Sequence, residues 1–282
     1  MRMARHVRLR ELLVGVEGLA LLRHLHDGTG DDADQRLAEV RWLLDDEAFS
    51  SGEFTSEADP RTGYRSWSES YDQPGNPIVA LEEPIVHSLL DALPRGRALD
   101  AACGTGRHAR HLVGCGHDVV GVDLTPEMLR RAAAKVPEAS FLEGDLRDIP
   151  APSEHFDLAV CGLALAHLAD LAAGVVELAR VLKPRGRLVV SVLHPFQAQL
   201  GWQARFADVS GKRSFVREHM HSHADYLAAF RSAGLHVHAC VEPELKADQV
   251  QAQQRAFRHI PEATMQAYLG LPGVLVWDVE KR

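Results

Sequence analysis

The sequence predicts an α/β protein, a mostly parallel sheet wrapped by helices, with further helices ahead of it. Three observations carry this. From Arg97 onward, short apolar runs alternate with helical patterns, as in a parallel sheet with crossover helices. The first run, Ala98-Leu99-Asp100-Ala101-Ala102, turns through Cys103-Gly104-Thr105-Gly106 into a helix. The second, Val119-Val120-Gly121-Val122-Asp123, ends on a carboxylate.

Taken in order, Leu9, Leu12, Leu13, Val16, Leu19, Leu22 and Leu25 recur at three- and four-residue spacings, giving one apolar helix face that stops at Gly28-Thr29-Gly30. A second helix is expected from Asp31 or Asp32, with Leu37, Val40, Leu43 and Leu44 on one side. The polar stretch from Phe49 to Pro60 reads as a linker. Tyr64 to Tyr71 forms a third segment, and a helix runs from Ile78 towards Leu93. Strands follow at Arg97 to Ala102, Asp118 to Val122, Ser140 to Glu143, Phe156 to Cys161 and Arg187 to Leu193. Helices between them cover Arg107 to Val113, Pro126 to Lys135 and Asp170 to Leu182. Ser222 is the expected N-cap of a late helix that Gly234 stops, before strands at Leu235 to Val241 and Gly273 to Val279. Glu242 to Pro272 shows no assignable pattern.

With 282 residues, 46% hydrophobic and 25% charged, the chain suits one α/β domain with an appended segment. A formal net charge of −8 argues against a nucleic-acid partner and for a small-molecule substrate. The start, Met1-Arg2-Met3-Ala4-Arg5, mimics a signal peptide, but Arg10, Glu11 and Glu17 interrupt the apolar stretch, and no later run has the length of a membrane span. Cys103, Cys115, Cys161 and Cys240 lack metal-type spacing, and Cys103, Cys161 and Cys240 lie in or beside strand-like runs as core residues. This implies a reducing, cytoplasmic setting.

The glycine loop lets backbone pass close beneath a ligand at the carboxyl end of the sheet, and Asp123 is placed to accept both ribose hydroxyls of an adenosine. Taken alone, this pair also satisfies a dinucleotide fingerprint. The wider run from Tyr64 to Glu242 resembles class I S-adenosylmethionine-dependent methyltransferases of the ubiquinone and menaquinone biosynthesis type. The matching pieces are Leu99-Asp-Ala-Ala-Cys-Gly-Thr-Gly106, Gly121-Val-Asp-Leu-Thr-Pro-Glu-Met128, Glu143-Gly-Asp-Leu146, Phe156-Asp-Leu-Ala-Val-Cys161, and Ala179-Arg-Val-Leu-Lys-Pro-Arg-Gly186 leading into Arg187-Leu-Val-Val-Ser191. Arg185 departs from the glycine that many relatives carry before the fifth strand.

The resemblance implies a Rossmann-like class I methyltransferase fold, with a seven-stranded sheet whose last strand is antiparallel, and S-adenosylmethionine as cofactor. It implies that Asp100, Ala101, Cys103, Gly104 and Gly106 hold the methionine end. Asp123 takes the ribose, Leu124 and Met128 flank the adenine, and Asp145 and Leu146 meet its amine. Cys161 and Gly162 form the floor, and Tyr64 and Tyr71 close the N-terminal side. For Asp145 a turn cap, and for Met128 simple core packing, are equally good readings.

A sulfonium methyl is already activated, so a base is needed only when the acceptor carries a proton. His167, His194 and His221 lie at strand or loop ends and are the candidates, with His194 or His221 expected to contact substrate. His219, His221 and His223 alternate, but no carboxylate or cysteine accompanies them at metal spacing, and no metal is expected.

The expected organisation is an N-terminal helical segment, 1–60, that caps the site or pairs two subunits in a homodimer. A methyltransferase domain follows at 61–282, with a substrate-side insertion at 195–221 carrying Trp202, Phe206, Phe215 and Lys212-Arg213. Two alternatives stand beside methyl transfer. One is a cyclase or assembly protein of the same fold, and the other an NAD-dependent oxidoreductase.

Overall fold

The computed structural model describes residues 5–208 and 210–282. Met1–Ala4, the basic start of the signal-like stretch, lie outside the described residues.

The chain opens with β1 (Arg5–Arg8), α1 (Leu9–Arg23), α2 (Gly30–Asp45) and β2 (Gly52–Ala58), followed by α3 (Pro60–Trp67) and α4 (Pro77–Asp91). The alternating body comprises β3 (Arg97–Ala101), α5 (Arg107–Gly114), β4 (Asp118–Asp123), α6 (Pro126–Lys135), β5 (Ser140–Glu143), β6 (Phe156–Gly162), α7 (Leu171–Val181) and β7 (Leu182–Leu193). Then come α8 (Pro195–Gln199), β8 (Ala204–Ala207), β9 (Arg213–Val216), α9 (His223–Ser232), β10 (Leu235–Val241), α10 (Ala247–Gln251), α11 (Gln254–Phe257), α12 (Pro261–Tyr268) and β11 (Val274–Lys281).

The main sheet has seven strands in the order β10-β11-β7-β6-β3-β4-β5. β3, β4, β5, β6 and β7 pair in parallel, while β11 runs antiparallel to both neighbours. Strands covered on both faces should read as continuous apolar runs, and Leu158 to Cys161 and Leu188 to Val192 are buried accordingly. One face packs on α7 and α9 through Val175, Leu178 and Phe230, and the other on α1, α4, α5 and α12 through Leu13, Val86, Leu112 and Ala263. The strand order reverses between β3 and β6, the position at which open α/β sheets bind ligands beyond their carboxyl ends.

Helix starts follow side-chain caps. Thr29 and Asp32 form a reciprocal capping box for α2, and Ser222 and Asp225 form one for α9. Gly234, at φ +72°, ends the α9 turn.

Three sequence expectations need correction. The linker expected over 49–60 contains β2, which pairs with β1 and, in parallel, with β9 of the insertion. The N-terminal segment and the insertion thus share a second, four-stranded sheet in the order β1-β2-β9-β8. Leu13, Val16 and Ala20 of α1 are buried against α2 and α12, whereas Leu22 and, on α2, Leu37, Trp42 and Leu44 are exposed. The unassigned stretch 242–272 contains α10, α11 and α12. Cys240 is exposed, because on the edge strand β10 it shares the outward face with His236 and His238.

Arg185 adopts φ +64° near the start of β7, where the parallel pairing with β6 shifts register. A side chain in the left-handed region costs roughly 1–2 kcal/mol that glycine does not incur. Arg185→Gly is therefore expected to raise folding stability by up to about 1 kcal/mol after the entropy of the added glycine is subtracted. Urea unfolding monitored by circular dichroism measures this.

Candidate active site

The carboxyl ends of β3, β4 and β6 meet α3 around a cavity of about 540 Å³. Its wall includes Tyr64, Tyr71, Gly104, Asp123, Asp145 and His167. α3 reaches this place by resting on the second sheet. Gly63 faces Val216, where an added Cβ would lie only 2.4 Å from Val216 Cγ2, so the close approach requires glycine. At its N-terminal end, Arg61 bonds the Leu124 carbonyl at 3.0 Å and pairs with Glu143 at the end of β5.

The glycine loop is fixed from several sides. Gly106 caps α5 at φ +80°, with Ala132 3.2 Å from where a Cβ would stand. Thr105 donates to Asp72 at 2.6 Å, and Lys135 bonds both of them. Asp100 is buried beneath the loop and accepts from the Ala109 amide at 2.8 Å; burial raises its carboxyl to about 6. Asp123 accepts from the Gly104 amide at 2.8 Å and from the Thr125 amide at 2.8 Å, and burial, opposed by those two bonds, raises its pKa. Ala102 and Leu163, two of the cavity-lining residues, hold positive φ without being glycine, at 57° and 55°. Such strain persists where the surroundings over-determine it, and it clusters at functional sites.

Leu124, Asp145 and Leu146 also line the cavity. Asp145 is held by Arg147 in a two-point pair, at 2.9 and 2.6 Å, which keeps its carboxyl below the usual range. Asp100, Ala101, Cys103, Gly106, Met128 and Cys161 do not reach the wall. All are buried, and they support the loop, α6 and β6 from behind. Gly162, next to Cys161, does line it.

The histidines separate sharply. His167 Nδ1 lies 2.8 Å from the Arg217 carbonyl, an acceptor only, so Nδ1 carries the hydrogen. Its Nε2 is then the acceptor in the 2.7 Å contact with the Tyr64 hydroxyl. The carboxylate of Glu218 lies 3.7 Å from the same nitrogen, and burial raises its pKa. His194 and His221, expected to contact substrate, do not line the cavity. His194 caps α8 through the Phe196 amide and bonds Glu242 at 2.8 Å, while His221 donates to the Leu168 carbonyl at 2.8 Å. His219, from the same alternating run, does line it.

A second cavity of about 370 Å³ meets the first at Tyr64, Tyr71 and Leu163. Trp67, Trp202, Arg205 and Glu218 line it. Trp67 stacks between Tyr64 and Phe206, at centroid separations of 5.7 and 5.6 Å. Sequence reasoning missed Arg61, Leu163 and Glu218, and weighed His219 only as part of its histidine run. Only Glu218, an acid inside an apolar-aromatic insertion, carried a signal that could have found it.

The fold is that of class I S-adenosylmethionine-dependent methyltransferases. Residues 99–190 match the family model described as a methyltransferase domain. The chain is 34% identical over 118 residues to a demethylmenaquinone methyltransferase of Beutenbergia cavernae, covering 40% of this chain and 49% of that one. It is 38% identical over 124 residues to an uncharacterized methyltransferase of Mycobacterium bovis, covering 44% and 50%. It thus spans about half the length of the curated relatives it matches. Among solved structures, an S-adenosylmethionine-dependent methyltransferase from Mesorhizobium loti superposes with a TM-score of 0.55 at 24% identity, over 71% of this chain and 98% of that one. No helix among the described residues is long and apolar enough to cross a membrane.

The cofactor this fold implies is S-adenosylmethionine, and the residues present fit it. A carboxylate at the end of β4 suits a vicinal diol, Leu124 and Leu146 supply apolar faces for a flat base, and Asp145 is an acceptor for an amine.

Proposed function

We propose that the protein methylates a small planar acceptor from S-adenosylmethionine. The observation that carries this reading is the junction of the two cavities at Tyr64 and Tyr71, one holding Asp123 and the glycine loop, the other lined by Trp67 and Trp202. Asp123 would hold the ribose, Asp145 with Leu124 and Leu146 the adenine, and Gly104 the methionine end. When bound, the cofactor supplies a sulfonium methyl group already activated for in-line displacement.

The chain's own work is orientation, exclusion of water and movement of one proton. Trp202 would lie along the acceptor's flat face with the edge of Trp67 beside it, and the α3 aromatics shield the junction from solvent. The Tyr64 oxygen, with its own proton directed at His167 Nε2, presents lone pairs to the cavity. An acceptor O–H or N–H can give its proton to that oxygen as the Tyr64 proton moves to Nε2. Glu218, close by, would stabilise the resulting imidazolium. The relative named demethylmenaquinone methyltransferase points to the same class of planar acceptor. A cytoplasmic setting accompanies this reading and is supported by four free cysteines.

The test is a screen of planar aromatic hydroxy compounds with methyl-labelled S-adenosylmethionine, scored by S-adenosylhomocysteine release. Acceptor-dependent release is expected, and Trp202→Ala should raise the acceptor KM while leaving that of the cofactor unchanged. Cofactor binding without release for any acceptor would favour the cyclase or assembly alternative.

A further inference from the structure

Two groups of metal-ligating side chains assemble among the described residues, both away from the proposed active site. One joins Asp91, the last residue of α4, to His111 in α5 and Cys115, the C-cap residue of that helix four positions on. The other joins His194, His223 and Glu242.

Their hydrogen bonding distinguishes them. The Phe196 amide donates to His194 Nδ1 at 3.1 Å, so the His194 hydrogen sits on Nε2 and points at Glu242. Metal ligation through that Nε2 would require moving its proton to Nδ1, which already accepts the α8 cap bond. This trio is a satisfied hydrogen-bond group.

In the α4–α5 trio His111 Nε2 also faces a carboxylate, but among the described residues no hydrogen bond occupies its Nδ1, so the proton can move there. Asp91 Oδ1, His111 Nε2 and Cys115 Sγ form a triangle with sides of 2.8 Å (O to N), 3.3 Å (O to S) and 3.6 Å (N to S). Tetrahedral zinc, with its usual bond lengths, sets ligand atoms about 3.3 Å apart for N and O and about 3.6 Å apart when one is sulfur. The two sulfur edges already lie within a few tenths of an ångström of those values. The oxygen and nitrogen need to separate by only about half an ångström. His87 stacks on the His111 ring at 3.7 Å and 4°, fixing its plane. Beside the trio lies an open recess of about 800 Å³, lined also by Glu83, His87, Arg107, Arg110 and Lys135, with room for a water in a fourth position.

We propose that Asp91, His111 and Cys115 bind a divalent ion of the zinc type, with water completing the tetrahedron. Thiolate, imidazole and carboxylate together select such a borderline-soft ion over magnesium or calcium. On binding, the Cys115 thiol releases its proton to solvent and the thiolate takes up the ion. The ion clamps the C-terminal end of α4 to α5. Nearer the other end of the same helix pair, Glu82 of α4 already holds Arg107 and His108 of α5. The site is thus a staple for the helix that follows the glycine loop.

Titrating the full chain with Co²⁺ tests this. One equivalent should give a thiolate-to-cobalt charge-transfer band and d–d bands of four-coordinate intensity. Both should vanish in Cys115→Ser and persist in Cys240→Ser, which removes the exposed cysteine. Zn²⁺ should displace the cobalt and raise the melting temperature, an increase absent in Asp91→Asn and His111→Ala. Those two variants should bind zinc about 100-fold or more weakly, beyond the loss typical of outer-shell changes. Absence of the band in the unsubstituted chain would overturn the proposal. So would its survival in Cys115→Ser, or zinc affinity that depends on His223 instead.

Discussion

Replacing Glu82 with alanine is expected to cost about 3–5 kcal/mol of folding free energy, the range for removing one partner from a buried charged group. Glu82 is fully buried, and its carboxylate accepts from Ser191 at 2.6 Å and from His108 at 3.1 Å and pairs with Arg107. Alanine would strand the Arg107 charge at the start of α5. It would also release Ser191, whose hydroxyl accepts from the amide of the strained Leu163 at 3.2 Å. The damage therefore reaches the wall of the active-site cavity as well as the core. Burial alone would raise the Glu82 carboxyl, but the His108 hydrogen bond, with the charges of His108 and Arg107, holds it at about 2. Its folded value is thus depressed below that of the unfolded chain. The unfolded state binds the extra proton between the two, and the stabilisation is present above about pH 4.5 and lost as pH falls towards 2. A difference of that size amounts to about 3 kcal/mol. Denaturant titrations of the unsubstituted chain and Glu82→Ala between pH 7 and pH 3 should converge as the medium becomes acidic, measured by circular dichroism.

The second large effect concerns turnover. Tyr64→Phe keeps the ring that stacks on Trp67 but removes the hydroxyl that bonds His167. For an acceptor that loses a proton, kcat should fall about 100-fold or more, within the range for general acid–base groups, with the cofactor dissociation constant little changed. His167→Gln should show a similar loss, whereas His194→Ala and His221→Ala should leave turnover nearly intact, because their imidazoles are committed elsewhere. A full-speed Tyr64→Phe enzyme would mean that orientation alone drives transfer. Rate against pH for both variants separates the cases, since only a proton relay makes the profile depend on this pair.

The alternating body was legible because each of its elements is marked locally. Glycine and proline punctuate β3 to β7, and the buried strands are continuous apolar runs. The second sheet was not legible. The strand Gly-Glu-Phe-Thr-Ser-Glu-Ala of β2 is polar, and it exists because a partner more than 150 residues away, β9, pairs with it in parallel. The helices α10 and α11, of five and four residues, are too short to show a period. The exposure of Cys240 could have been read, since Leu-His-Val-His-Ala-Cys-Val places it in step with two histidines. Choosing among His167, His194 and His221 could not. All three sit at comparable loop ends, and only tertiary partners decide where each ring turns. The α4–α5 trio was hidden for the same reason, its ligands lying on two helices with no spacing motif between them.

The central claim is a cofactor pocket organised by Asp123, and calorimetric titration with S-adenosylmethionine, S-adenosylhomocysteine and NADH tests it most directly. Asp123→Asn should preserve an acceptor oxygen for the Gly104 amide, and Asp123→Ala should not. The unsubstituted protein is expected to bind both sulfur compounds and not NADH. Asp123→Ala should weaken that binding about 100-fold or more, as expected from losing charged hydrogen bonds worth about 1.5–3 kcal/mol each. Binding of NADH alone, or affinity for S-adenosylmethionine unchanged in Asp123→Ala, would contradict it.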